Sequence, residues 1–215
     1  MMPSKHRLLN TPPAAIAGYM VIVCVCLAIG LSVTLSGQDF SPFDYWIEDF
    51  GIAIENPAGA IFYDMGFLLA GVFLCIFSLG FKMWYTDSRL HNGILIGGQI
   101  AGVISGMALV LKGSTLMFGD TEPLVWSVSF FLSVGVAITL VSITMLLRRD
   151  DNEDTCCVGF TSVALILLLA VTAYLNITPK ITEWFAAISM LAWVALATRD
   201  MRWQVLKTDV PGTAR

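Results

Sequence analysis

Six long apolar blocks decide what this chain can fold into. They cover residues of about 13–36, 60–85, 93–118, 124–147, 158–177 and 181–198, and a helix needs roughly 20 mostly apolar residues to cross the hydrocarbon layer of a bilayer. Apolar residues occupy all sides of each block rather than one stripe, which excludes a soluble amphipathic bundle. With 57% of its residues apolar and 13% charged, a chain of 215 residues has too little polar surface to cover itself in water. The predicted fold class is therefore all-α: a polytopic membrane bundle of six transmembrane helices. No stretch left between the spans is long enough for a soluble domain, so residues 1–215 form a single transmembrane domain with a tail over 199–215.

The short basic leader (Lys5, His6, Arg7) resembles a signal peptide, but the apolar stretch after it is too long and Gly37-Gln38-Asp39 offers no small-x-small cleavage site. The first block is expected to stay as an anchor. Lys and Arg then orient the bundle. Lys5, Arg7, Lys82, Arg89, Arg148, Arg149, Arg199, Arg202, Lys207 and Arg215 fall on one side, and only Lys112 and Lys180 fall elsewhere. Cytoplasmic loops carry the excess of Lys and Arg, so the expected location is the cell membrane with both termini cytoplasmic.

The opposite, outer face is acidic. The loop from Gln38 to Gly59 carries Asp39, Asp44, Glu48, Asp49 and Glu55 and no Lys or Arg. Wound as a helix, Phe43, Trp46, Ile47 and Phe50 share a narrow face while Asp44, Tyr45, Glu48 and Asp49 point elsewhere. That pattern predicts a short interfacial helix over about 43–50, broken by Gly51 and Asn56-Pro57 before the second span. Asp64, about a turn inside span two, and Lys112, one to two turns inside span three, reach similar depths beneath it. Unpaired charge at that depth is costly, so both are expected to face the bundle interior within reach of each other. Two readings stand: a polar site for an anionic headgroup or a proton relay, or a structural ion pair. Glu183 follows Thr178-Pro179-Lys180, a common helix start, and with Trp184 faces the same leaflet.

Gly98, Gly102 and Gly106 recur every fourth residue on span three. Small residues at this spacing let helix backbones approach closely, either in a tightly packed central helix or at a face for a membrane-protein partner or a homo-oligomer. Gln99 is expected to hydrogen-bond between helices. The chemistry excluded is broad. His6 and His91 are assigned to cytoplasmic segments, so haem ligation between spans has no ligands. No metal-ligating cluster, phosphate-cradling loop or nucleophile elbow occurs, and nothing supports nucleic-acid binding. No cofactor is expected. The five cysteines have no C-x-x-C spacing and an odd count, which argues against a disulfide framework.

The stretch Phe43-Asp44-Tyr45-Trp46-Ile47-Glu48-Asp49-Phe50-Gly51, then Asn56-Pro57-Ala58-Gly59-Ala60-Ile61-Phe62 and Gly66-Phe67-Leu68-Leu69-Ala70-Gly71, resembles a prokaryotic six-span membrane family. It is the family grouped as domain of unknown function 998, itself distantly similar to the eukaryotic Frag1/DRAM/Sfk1 proteins. Glu48-Asp49-Phe50-Gly51 stands where that family has S-D-x-G, and Tyr63 stands where Asn is usual. Its outer F-P-x-D and following His correspond here to Phe118-Gly119-Asp120 and Trp126, so no His-dependent activity is carried over. The resemblance implies a six-span fold and a membrane location, and no activity.

The leading expectation for function is a non-enzymatic protein binding membrane lipids or a small amphiphile in an outer-leaflet pocket built from Trp46, Asp49, Asp64, Lys112 and Glu183. The alternatives are a small transporter or proton-coupled carrier, and a structural subunit of a membrane complex. A lipid-modifying enzyme using Asp49 or Asp64 as base ranks last, because no nucleophile or metal site accompanies them.

Overall fold

The computed structural model describes residues 11–37, 39–114, 123–148, 153–175, 177 and 179–208. The basic leader, Phe118-Gly119-Asp120, the 149–152 part of the acidic loop, Thr178 and residues 209–215 lie outside them. Six helices are present, and no strand occurs among the described residues: α1 (Pro13–Leu35), α2 (Ala60–Leu79), α3 (Arg89–Gly113), α4 (Pro123–Arg148), α5 (Glu153–Tyr174) and α6 (Ile181–Thr208). Each is long and apolar enough to cross a membrane, an architecture that fits an integral, multi-pass membrane protein. Helices adjacent in sequence are neighbours in space, and α1 packs back on α6 to close the ring. One end of the ring carries the start of α1 and the end of α6; the other, here the distal end, carries the 36–59 loop.

The local chemistry explains the helix limits. Pro13 opens α1, where its missing N–H costs nothing, and Gly37 ends the run at φ 66°, a left-handed position suited to glycine. A 3₁₀ turn over Gly80–Trp84 continues α2, and the Ser88 side chain caps α3 at His91 N. His91 therefore stands in the first turn of α3, buried with Nε2 3.3 Å from the Trp84 carbonyl, and not in a loop as its polar neighbours imply. Helix α5 begins at Glu153, earlier than the hydropathy of the block indicates. Helix α6 runs on past Thr198 to Thr208, so most of the expected tail is helix. It continues because its inward face still has neighbours: Met201 is fully buried, and the buried Asp200 accepts from Thr155 Oγ1 at 2.5 Å and Arg199 Nε at 3.1 Å. Gln99 links α3 to the end of α2, donating to the Leu79 carbonyl and accepting from Tyr85 Oη.

Gly98, Gly102 and Gly106 of α3 lie against helices of the same chain. Gly98 faces Val141 and Ala137 of α4, Gly102 faces Ser78 of α2, and Gly106 faces Cys75 and Gly71 of α2. A Cβ on Gly106 would come 2.7 Å from the Gly71 carbonyl oxygen and 2.9 Å from Cys75 N, backbone atoms that cannot swing aside. Gly106→Val is therefore expected to push α2 off α3. Overpacking of this kind costs about 1–3 kcal/mol, a drop of roughly 5 °C in melting midpoint for a chain of this size. Thermal unfolding in mild detergent measures it, and an unchanged midpoint would show that the two helices do not approach this closely.

Candidate functional site

The distal loop is held by side chains, not by its own helix. The expected helix over 43–50 is reduced to a turn near Ser41–Asp44 and a 3₁₀ turn over Glu48–Gly51. The reason lies in where two amides point. Trp46 N donates to Asp49 Oδ2 at 2.8 Å and Ile47 N donates to Glu183 Oε2 at 2.9 Å, so carboxylates replace the carbonyl that a helix would offer Ile47. The aromatic face splits accordingly: Ile47 and Phe50 are buried, Trp46 is half-buried and Phe43 is 71% exposed.

Two further anchors fasten the loop. On the α6 side, Trp184 Nε1 donates to the Tyr45 carbonyl at 2.9 Å, Lys180 lies 3.8 Å from Asp49 and donates to the Asp44 carbonyl, and Phe50 and Phe40 pack on the Trp184 ring. On the α1 side, the buried Asn56 does most of the holding. Its Nδ2 sits 3.0 Å from the Ser32 carbonyl, Ser32 Oγ and the Phe50 carbonyl, while its Oδ1 accepts from Gly59 N. The sequence marks Asn56-Pro57 only as a break before α2; the structure makes Asn56 the latch between loop, α1 and α2.

Beneath the loop lies a cavity of about 610 Å³, within the range of small-molecule sites. Trp46, Asp49, Asp64, Lys112 and Glu183 all line it, although they come from the loop, α2, α3 and α6. Asp64, Lys112 and Glu183 are 4%, 8% and 4% exposed, so these charged groups point into the bundle and not to its surface. Lys112 Nζ lies 3.1 Å from Glu48 Oε1 and donates to Ser127 Oγ at 2.8 Å, with the rings of Tyr63 and Phe67 less than 6 Å away. The expected neighbourhood of Asp64 and Lys112 is present in that Asp64 lies within electrostatic reach of the ammonium. Among the described residues the one in direct ion contact with Lys112 is nevertheless Glu48, which the sequence places among the loop acids. Asp64 Oδ2 and Tyr63 Oη are buried and make no hydrogen bond.

Tyr63 and Ser127 were also missed. Ser127 stands 15 residues beyond Lys112, about one turn into α4, a depth that helical rise could have matched to Lys112. Tyr63 carries only its place beside Asp64 and its position where the resembled family usually has Asn. The opposite wall is apolar and comes from α4 and α5: Val128, Leu132, Ile166, Leu169, Ala170 and Ala173. Val128, Leu132, Ala170 and Ala173 are exposed on the flank of the bundle, and α5 has the smallest buried share of the six spans. The cavity thus opens sideways between α4 and α5. Towards the terminal end a void of about 80 Å³ shares Tyr63, Lys112 and Glu183 with it. Phe77, Phe81 and Trp193 line that void, and Phe81 stacks on Trp84 at 5.4 Å. Among the described residues no three His, Cys, Asp or Glu converge to hold a metal ion. Comparison of the chain with protein-family models, with curated proteins and with solved structures finds no match.

Proposed function

We propose that this protein resides in the cell membrane with both termini cytoplasmic and binds a lipid or small amphiphile in an outer-leaflet chamber. The observation that carries the reading is the two-sided cavity. Its loop, α2, α3 and α6 walls are charged and aromatic, while its α4 and α5 wall is apolar and open on the flank. A headgroup would sit under the loop while a tail leaves between α4 and α5 into the hydrocarbon. The Lys and Arg distribution supports this orientation, and the aromatic Trp46, Trp184 and Tyr45 suit an interfacial loop. The resemblance of residues 43–51 and 56–71 to the six-span family named above supports the architecture and adds no activity.

Ala170→Trp places an indole on the open flank of the cavity. The expected result is loss of a lipid or metabolite that co-purifies in fixed ratio with the wild type, read by native mass spectrometry from mild detergent. An equal complement of bound small molecules in both proteins would sink the chamber as a binding site.

A carrier is the second reading, favoured by the apolar void that continues the chamber along the bundle axis. Transport would require Phe77, Phe81 and Trp193 to part, and substrate flux in proteoliposomes with Phe81→Ala faster than wild type would support it.

A further inference from the structure

The chamber also has a charge preference, and this inference rests on the binding reading above. Among the described residues four carboxylates line it, from Glu48, Asp49, Asp64 and Glu183, against one lysine, Lys112. Glu48 is already paired with Lys112, and Asp49 lies 3.8 Å from Lys180 at the rim. Asp64 and Glu183 share the field of Lys112, but among the described residues neither has an ion contact of its own. Lys112 directs its ammonium at Glu48 and Ser127. An incoming anion would have to displace these partners while approaching an excess of carboxylates.

A second observation points to a donor. Asp64 is 4% exposed and lines the cavity, yet its Oδ2 accepts no hydrogen bond. Leaving a buried acceptor unsatisfied is costly, and more so for a charged one. An N–H donor in the chamber would satisfy it, and the neighbouring Tyr63 Oη, also buried and unpartnered, could accept or donate beside it. The rings of Trp46 and Tyr63 on the same wall offer cation–π contact. Among the described residues the carboxylates do not converge in groups of three fit for a metal ion, and a bare cation would leave the apolar wall of Val128, Leu132, Ile166 and Leu169 unused.

We propose that the chamber selects an amphiphile with a cationic ammonium head, seated between Asp64 and Glu183 with its tail between α4 and α5. The ammonium can come from an amine-bearing membrane lipid or from a soluble cationic amphiphile.

The test uses the full chain in a maltoside detergent with two labelled probes of equal chain length, decylammonium and decanesulfonate. Saturable binding is read by scintillation proximity. The expected result is saturable binding of the cation, with the anion at least about ten-fold weaker. Asp64→Asn and Glu183→Gln keep side-chain shape and should each weaken the cation by about ten-fold, with melting midpoints close to wild type as the check on folding. Equal or tighter binding of the anion, or cation affinity unchanged in Asp64→Asn, overturns the charge assignment. If the anion binds and is lost in Ala170→Trp, the chamber stands and only its charge class falls. If Ala170→Trp leaves both probes unaffected, the binding reading itself falls. Mass spectrometry of protein from native membranes then separates the sources. Retention of an amine-bearing lipid over an anionic one assigns the lipid, and cation binding without such a lipid assigns a soluble amphiphile.

Discussion

Lys112→Met is expected to destabilise the protein by about 3 kcal/mol, because it strips a buried lysine from a chamber wall that keeps Glu48, Asp64 and Glu183. Breaking a buried ion pair by removing one partner leaves uncompensated charge, at a cost of about 3–5 kcal/mol. Glu48 retains 29% of its side-chain exposure, so water screens part of that loss. The corresponding fall in melting midpoint is about 10 °C. The double variant Lys112→Met/Glu48→Gln should recover a substantial part of it, since the charge left stranded is then removed. Thermal unfolding of wild type, the two single variants and the double variant in one detergent forms the cycle. A Lys112→Met protein that melts with the wild type, or a double variant no better than the single, would mean that Lys112 is solvated rather than engaged.

Asn56 carries the second large effect. Its amide nitrogen meets three oxygens, the carbonyls of Ser32 and Phe50 and the hydroxyl of Ser32, while its amide oxygen accepts from Gly59 N. Asn56→Ala removes all four contacts; the Phe50 carbonyl keeps Ser32 Oγ and the Ser32 carbonyl keeps Ser36 N as donors, so the loss, about 2 kcal/mol, comes from the missing amide bonds and from Gly59 N left without its acceptor. Asn56→Asp is nearly the same shape yet should be at least as harmful. It sets a second carboxylate oxygen against the two carbonyls, where only a donor fits. Either variant unlatches the loop from α1 and α2 while its Glu183, Trp184 and Lys180 anchors on α6 remain. Limited proteolysis within residues 39–59, followed against thermal unfolding, is expected to show cleavage in the variants under conditions where the wild type resists. Resistance in Asn56→Asp equal to that of the wild type would refute the latch.

The hydropathy blocks place all six helices, because in a bilayer every backbone N–H and C=O must be satisfied within the segment and helices do that locally. The errors fall at helix ends. Helix α6 continues beyond Thr198 because Asp200, a residue that reads as solvent-facing, is buried against Thr155 of α5. Of the candidate site, the depth of Asp64 and Lys112 was readable, since the rise of a helix converts residue number into distance. Their common cavity with Trp46, Asp49 and Glu183 followed from that end of the bundle being the acidic one.

What the chain dictates by itself, then, is the number, type and order of its spans and which charged residues are buried at the distal end. Those properties depend on residues close together along the chain. The partners of the charges depend on residues far apart. Glu48 rather than Asp64 takes the direct contact with Lys112, Glu183 draws Ile47 N–H out of a helix 136 residues away, and Asn56 ties the loop to Ser32. Only closure of α1 onto α6 brings these groups to one place, so only the tertiary structure turns a patterned distal loop into the roof of a chamber.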